Sequence, residues 1–113
     1  MGYSHAAVDL GTITIPSGQT NSDAMDFRGW RGKAQAYSVA SPAILTGTVK
    51  IQVSHDNQST WVDLQSAGAD ITVAAASSAR VLGVGFDALR VQSDAGVGEG
   101  ADRTFTIVGE EGI

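Results

Sequence analysis

The sequence has no cysteine, 2 prolines and, in 113 residues, only 10 leucines, glutamates and lysines together. Without cysteine there is no disulfide, no thiolate-bound metal and no thiol nucleophile. The scarcity of Leu, Glu and Lys, beside many β-branched residues, points to strands and turns rather than helices. No run of about 20 apolar residues is present to cross a membrane as a helix, and no basic segment followed by an apolar stretch opens the chain. The expectation is a protein made and used without export. Positive charge is scarce as well, since 7 Lys and Arg against 12 Asp and Glu leave a net charge of -5. Nucleic acids and anionic membranes attract positive fields, so neither is an expected partner.

What the chain does contain favours strands and turns. Val, Ile and Thr number 27, Gly and Ser number 14 and 11, and 9 of the 12 acids are Asp, which competes with helical backbone bonds. With 42% apolar and 17% charged residues it folds rather than staying disordered. Its length suits one domain over residues 1–113, with 1–6 and 109–113 expected as flexible ends. Surface scaling allows about 65% of the chain's surface to be buried, which makes a thin core. Burial against other chains is one remedy for that.

The clearest strand is Thr48–Ser54, in which Val49, Ile51 and Val53 point to a core while Thr48, Lys50, Gln52 and Ser54 point to water. The polar cluster His55–Ser59 turns it into a second strand over Thr60–Gln65. There Val62 and Leu64 are expected inward, and Trp61, out of phase with them, packs on an edge, on the turn or on another subunit. Further strands are read at Asp9–Ile15, Asp23–Phe27, Gln35–Ala40, Asp70–Val73, Arg80–Val84, Ala88–Ser93 and Arg103–Val108. Their inward residues are Ile13, Ile15, Met25, Phe27, Leu89, Val91, Phe105 and Ile107, and Ala74–Ala79 reads as a loop. Eight or nine strands with this spacing predict an all-β fold, an antiparallel β-sandwich or jelly roll.

Catalytic chemistry finds little to stand on. The two histidines are His5, near the N-terminus, and His55, in a turn, and neither adjoins a nucleophile motif. Most of the aspartates, including Asp56, Asp70, Asp87, Asp94 and Asp102, fall at strand ends, where Asp bonds its own backbone. Asp56-Asn57-Gln58-Ser59 lacks the regular acid spacing of a calcium loop. Gly96-Val97-Gly98-Glu99-Gly100 has neither the helix nor the lysine of a phosphate-binding loop and reads as a flexible connection. No catalytic residue, metal ligand or cofactor is therefore expected, and the chain is read as a non-enzyme. One segment stands out in an acidic protein. Arg28, Arg31 and Lys33 cluster around Trp30, either as anchors of an interface or as stems that cover a core or edge tryptophan. With Trp61 they form the expected interface set.

Several stretches together carry a resemblance. Ile13-Thr14-Ile15-Pro16-Ser17-Gly18, a strand ending in a Pro-x-Gly-type turn, leads into Ser22-Asp23-Ala24-Met25-Asp26-Phe27-Arg28-Gly29. Thr46-Gly47 leads to Gln52-Val53-Ser54-His55-Asp56-Asn57 and Trp61-Val62-Asp63-Leu64, and later come Leu89-Arg90-Val91-Gln92-Ser93 and Ala101-Asp102-Arg103-Thr104-Phe105-Thr106. Over residues 12–108 this succession resembles small virion proteins of tailed bacteriophages, of the capsid decoration (cement) type. The resemblance implies a β-sandwich or jelly roll at the capsid surface of a virion assembled in the host cytoplasm. There it would bind the major capsid protein and itself, as a homodimer or homotrimer, and stabilise the head shell without doing chemistry. A tail or head-to-tail component is a variant of the same expectation. The sequence departs from the pattern at Asn57, where glycine is usual, although Asn tolerates the same left-handed backbone. The Val53–Leu64 hairpin is also similar to one in discoidin-type carbohydrate-binding sandwiches, which implies a glycan-binding module as the alternative, with Trp30, Trp61, Tyr3 and Tyr37 as its available aromatics.

Overall fold

The computed structural model describes residues 6–27, 34–82 and 86–111. These residues form eleven strands, all antiparallel, and no helix. One sheet is built from β1 (Ala6–Ile15), β11 (Arg103–Glu111), β3 (Ala34–Ala40) and β9 (Ser78–Leu82), in that spatial order. The other runs β2 (Met25–Asp26), β10 (Ala88–Ser93), β4 (Val49–Ser54) and β5 (Val62–Asp63), and β8 (Thr72–Val73) pairs with the same free edge of β4. A small hairpin of β6 (Gln65–Ser66) and β7 (Ala69–Asp70) stands apart.

Alternation does what the sequence predicts along the long strands. Ile13, Ile15, Val39, Phe105 and Ile107 from the first sheet meet Val49, Ile51, Leu89 and Val91 from the second in one buried cluster. At one end of it Phe27 stacks on Tyr37, ring centroids 4.1 Å apart, with Phe86 tilted against both. Tyr37 is thereby buried, and burial raises its pKa, so it is no exposed platform for a sugar.

Elsewhere the expectations are redrawn. The strand expected over Thr60–Gln65 breaks at Leu64, whose N–H donates to the Ile51 carbonyl (2.9 Å) while its own carbonyl accepts from Ile71 (2.9 Å). The chain thus leaves β4, makes the β6–β7 hairpin and returns as β8 to the same edge. Val62 pairs with Val53 on the core side, but it lies at the sheet's rim and stays 46% exposed. On the side of β4 read as wet, Gln52 and Ser54 are in fact buried. Gly109, Glu110 and Glu111, expected to fray, extend β11 between β1 and β3. Val84 of the predicted Arg80–Val84 strand lies outside the described residues.

The expected flexible loop is pinned from within. Glu99, 1% exposed, accepts hydrogen bonds through Oε1 from the Thr46 N–H (2.8 Å) and Arg103 Nε (3.0 Å), and through Oε2 from the Gly47 N–H (3.0 Å) and the Ser93 hydroxyl (2.5 Å). Its backbone pairs with Gly18 and Gln19, so three loops meet on one residue. Gly98 allows the approach: it has φ +86°, and a Cβ there would sit 2.3 Å from the Gly18 carbonyl carbon. Asp56 bonds within its own turn as expected, but three other aspartates tie distant segments. Asp94 accepts from Thr48 N–H (2.7 Å), Asp102 from Ser17 N–H (2.8 Å) and Asp87 from Asn57 N–H (3.1 Å).

Two predictions follow from this. Burial alone would raise the Glu99 pKa, but its four hydrogen bonds outweigh that and bring it from 4.5 to about 2. A depressed carboxylate stabilises the fold above its unfolded pKa, and that contribution disappears as pH falls from about 4.5 towards about 2. Glu99→Gln should therefore lose on the order of 2–3 kcal/mol in urea unfolding at pH 7, and the difference from the parent should shrink through that acid window. At the tip of the β4–β5 hairpin, Asn57 and Gln58 both have left-handed φ, 57° and 67°. Asn tolerates this and Gln does not, so Gln58→Gly should raise stability by about 0.5–1 kcal/mol, read as the unfolding midpoint at unchanged m-value.

Candidate functional site

The register of β4 against β10 builds a side-chain assembly on the outward face of the second sheet. Gln52 lies directly opposite Arg90, and Lys50 opposite Gln92. On the far edge of β4, Asp63 faces Gln52 and Thr72 faces Lys50, and beyond β10 an isolated bridge brings Asn21 beside Gln92. Every one of these residues is out of phase with a core residue, which is why they share one face.

A continuous chain of hydrogen bonds links them. Arg90 Nε donates to Gln52 Oε1 (2.8 Å), and Gln52 Nε2 donates to Asp63 Oδ1 (2.8 Å) and more weakly to Gln92 Oε1 (3.4 Å). Gln92 Nε2 donates to Asn21 Oδ1 (2.8 Å), and Lys50 Nζ donates to Asp63 Oδ2 (2.9 Å). The contacts fix the orientation of both glutamine amides, since each carboxamide oxygen receives a donor and each nitrogen meets an acceptor. Gln52 and Lys50 together hold the Asp63 carboxyl below its usual range, and the bond to Asp63 raises the Lys50 ammonium. Burial moves Arg90 downward, leaving it a cation.

Trp61 completes the face. Two residues before Asp63 it falls on the same side, half-buried, and the Arg90 guanidinium carbon lies 4.6 Å from its ring centroid. The tryptophan and arginine hold each other in a cation–π stack whose arginine is fixed in turn by Gln52. The face therefore presents an aromatic–guanidinium pair within a hydrogen-bonded polar network, suited to making contacts with a partner.

Of the residues expected at an interface, Trp61 is the one that the structure places here. Arg28, Trp30, Arg31 and Lys33 lie outside the described residues. The network of Asn21, Lys50, Gln52, Asp63, Arg90 and Gln92 was not anticipated. Its signal was present in the alternation of the two most regular strands, but which polar residue of one strand faces which of the other depends on their register. His55 is exposed in the turn, and the Asp56 Oδ1 is committed to the Thr60 N–H (2.8 Å) and the Ser54 hydroxyl (2.9 Å). Among the described residues no group of three or more His, Asp or Glu is placed to hold a metal ion.

No family model matches the sequence, and no curated protein matches it. A solved structure of a Bacillus endospore appendage, from a family described as disulfide-linked pili, is 16% identical over 100% of this chain and 92% of its own, with a TM-score of 0.47. At that score the two chains are not shown to share a fold.

Removing the arginine tests the network. In a Trp30→Phe background, Arg90→Ala should shift Trp61 fluorescence to longer wavelength and raise its quenching by acrylamide. It should also cost about 1–2 kcal/mol in unfolding, because Gln52 is left buried without its donor.

Proposed function

We propose that the chain is a non-enzymatic virion structural protein of a tailed bacteriophage, of the capsid decoration type. In this reading it is a β-sandwich of the jelly-roll kind that docks on the major capsid protein through the outward face of the second sheet. The observation that carries the reading is the Trp61–Arg90 stack, held 4.6 Å apart on a face whose polar side chains are already tied to one another. Aromatic and arginine side chains concentrate binding energy at interfaces, and a partner that meets them already ordered loses less conformational entropy. Two antiparallel sheets sharing one core support the sandwich, and the resemblance over residues 12–108 supports the phage setting. Many copies on a repeating shell would add modest single-site affinities into firm attachment.

Cosedimentation with undecorated tailed-phage heads tests this. The protein should pellet with the shells, and Trp61→Ala/Arg90→Ala, checked for an intact fold by circular dichroism, should bind at least about tenfold more weakly. No pelleting, or a double variant that binds like the parent, would contradict the reading.

A further inference from the structure

Beside the network, where β4, β8 and β10 meet the β6–β7 hairpin, a cavity of about 170 Å³ opens, lined by Thr48, Lys50, Asp70, Thr72, Gln92 and Asp94, with Ser93 as the seventh lining residue. We infer that this cavity binds a neutral polyhydroxylated ligand, a single sugar ring of a glycan, independently of the docking proposed for the Trp61–Arg90 stack. At about 30 Å³ per water molecule the space holds about five or six waters, the bulk of a six-membered ring with its hydroxyls.

The lining selects the ligand class by what it repels. A phosphate or carboxylate would meet the carboxylates of Asp70 and Asp94, and a metal ion or guanidinium would meet the Lys50 ammonium. A hydroxyl group satisfies both kinds of wall, because it donates to a carboxylate and accepts from an ammonium. Unused bonding capacity of both kinds is present. Lys50 Nζ donates one of its three N–H groups to Asp63 Oδ2 (2.9 Å). Asp94 Oδ1 takes the Thr48 N–H (2.7 Å) and Asp70 Oδ1 takes Gln65 Nε2 (2.9 Å), which leaves Oδ2 of each for a ligand hydroxyl. The same bonds hold these side chains in place before a ligand arrives, which lowers the entropy lost on binding. Thr72, on the strand opposite Lys50, adds a hydroxyl that both donates and accepts.

The test is an amide-resolved NMR titration of the full chain with glucose, galactose, mannose, rhamnose and N-acetylglucosamine, and in parallel with inorganic phosphate and arginine amide, each to about 50 mM. At least one sugar is expected to shift the amides of Thr48, Lys50, Thr72 and Gln92 in a saturable way. Asp70→Asn and Thr72→Val should each weaken that response by at least about tenfold. The inference is overturned if no sugar moves these amides, if phosphate or arginine amide moves them at lower concentration, or if both lining variants respond like the parent. Failure here leaves the head-binding assay untouched, since that assay reads the Trp61–Arg90 stack.

Discussion

One strand pairing organises both the interior and the face of this molecule: β4 against β10, with Ile51 opposite Val91 and Gln52 opposite Arg90. Because side chains alternate across a strand, one register sends Ile51, Val53, Leu89 and Val91 into the core and Lys50, Gln52, Arg90 and Gln92 to the other side. A slip by one residue would bury the arginine and expose the valines, so the hydrophobic core itself specifies the geometry of the polar network. The core and the candidate site are consequently not separable features.

Carboxylates perform much of the tying that a small cysteine-free chain needs. Glu99 gathers the loops around Gly47 and Ser93 through its buried carboxylate and the loop at Gly18 through its backbone, and Asp87, Asp94 and Asp102 each reach a backbone N–H 30 or more residues away. Each such bond closes a long loop through a charge-assisted contact, which is stronger than a neutral one and is lost when the acid is protonated. The aspartate-rich composition thus serves long-range closure as well as turns.

How much of this was legible beforehand follows from the range over which each feature is determined. Alternation is local, so the strands and their inward residues, from Ile13 to Ile107, could be read from the sequence. The break at Leu64 could not, because it depends on Leu64 donating its N–H to the Ile51 carbonyl while its own carbonyl accepts from Ile71, two partners distant in sequence. Burial of Gln52 and Ser54 was hidden for a similar reason: a polar residue on the solvent phase becomes buried only when Arg90, Asp63 and the hairpin tip close over it. Glu99 looked like a spacer in a glycine-rich loop, and nothing nearby in sequence marks Thr46, Gly47 and Gly18 as its partners. For the site, Trp61 was legible as an aromatic out of phase with the core, whereas Arg90 as its partner required the register.

As proposed, the protein works through the outward face of β4 and β10, the Trp61–Arg90 stack docking and the Lys50 cavity taking a sugar. Hydrogen–deuterium exchange of the chain bound to undecorated phage heads addresses that claim most directly. Protection is expected in peptides covering Val49–Asp63 and Ala88–Ser93, with the β1, β3 and β9 peptides exchanging as in the free protein. Protection confined to β1, β3 and β9, with β4 and β10 unchanged, would contradict it.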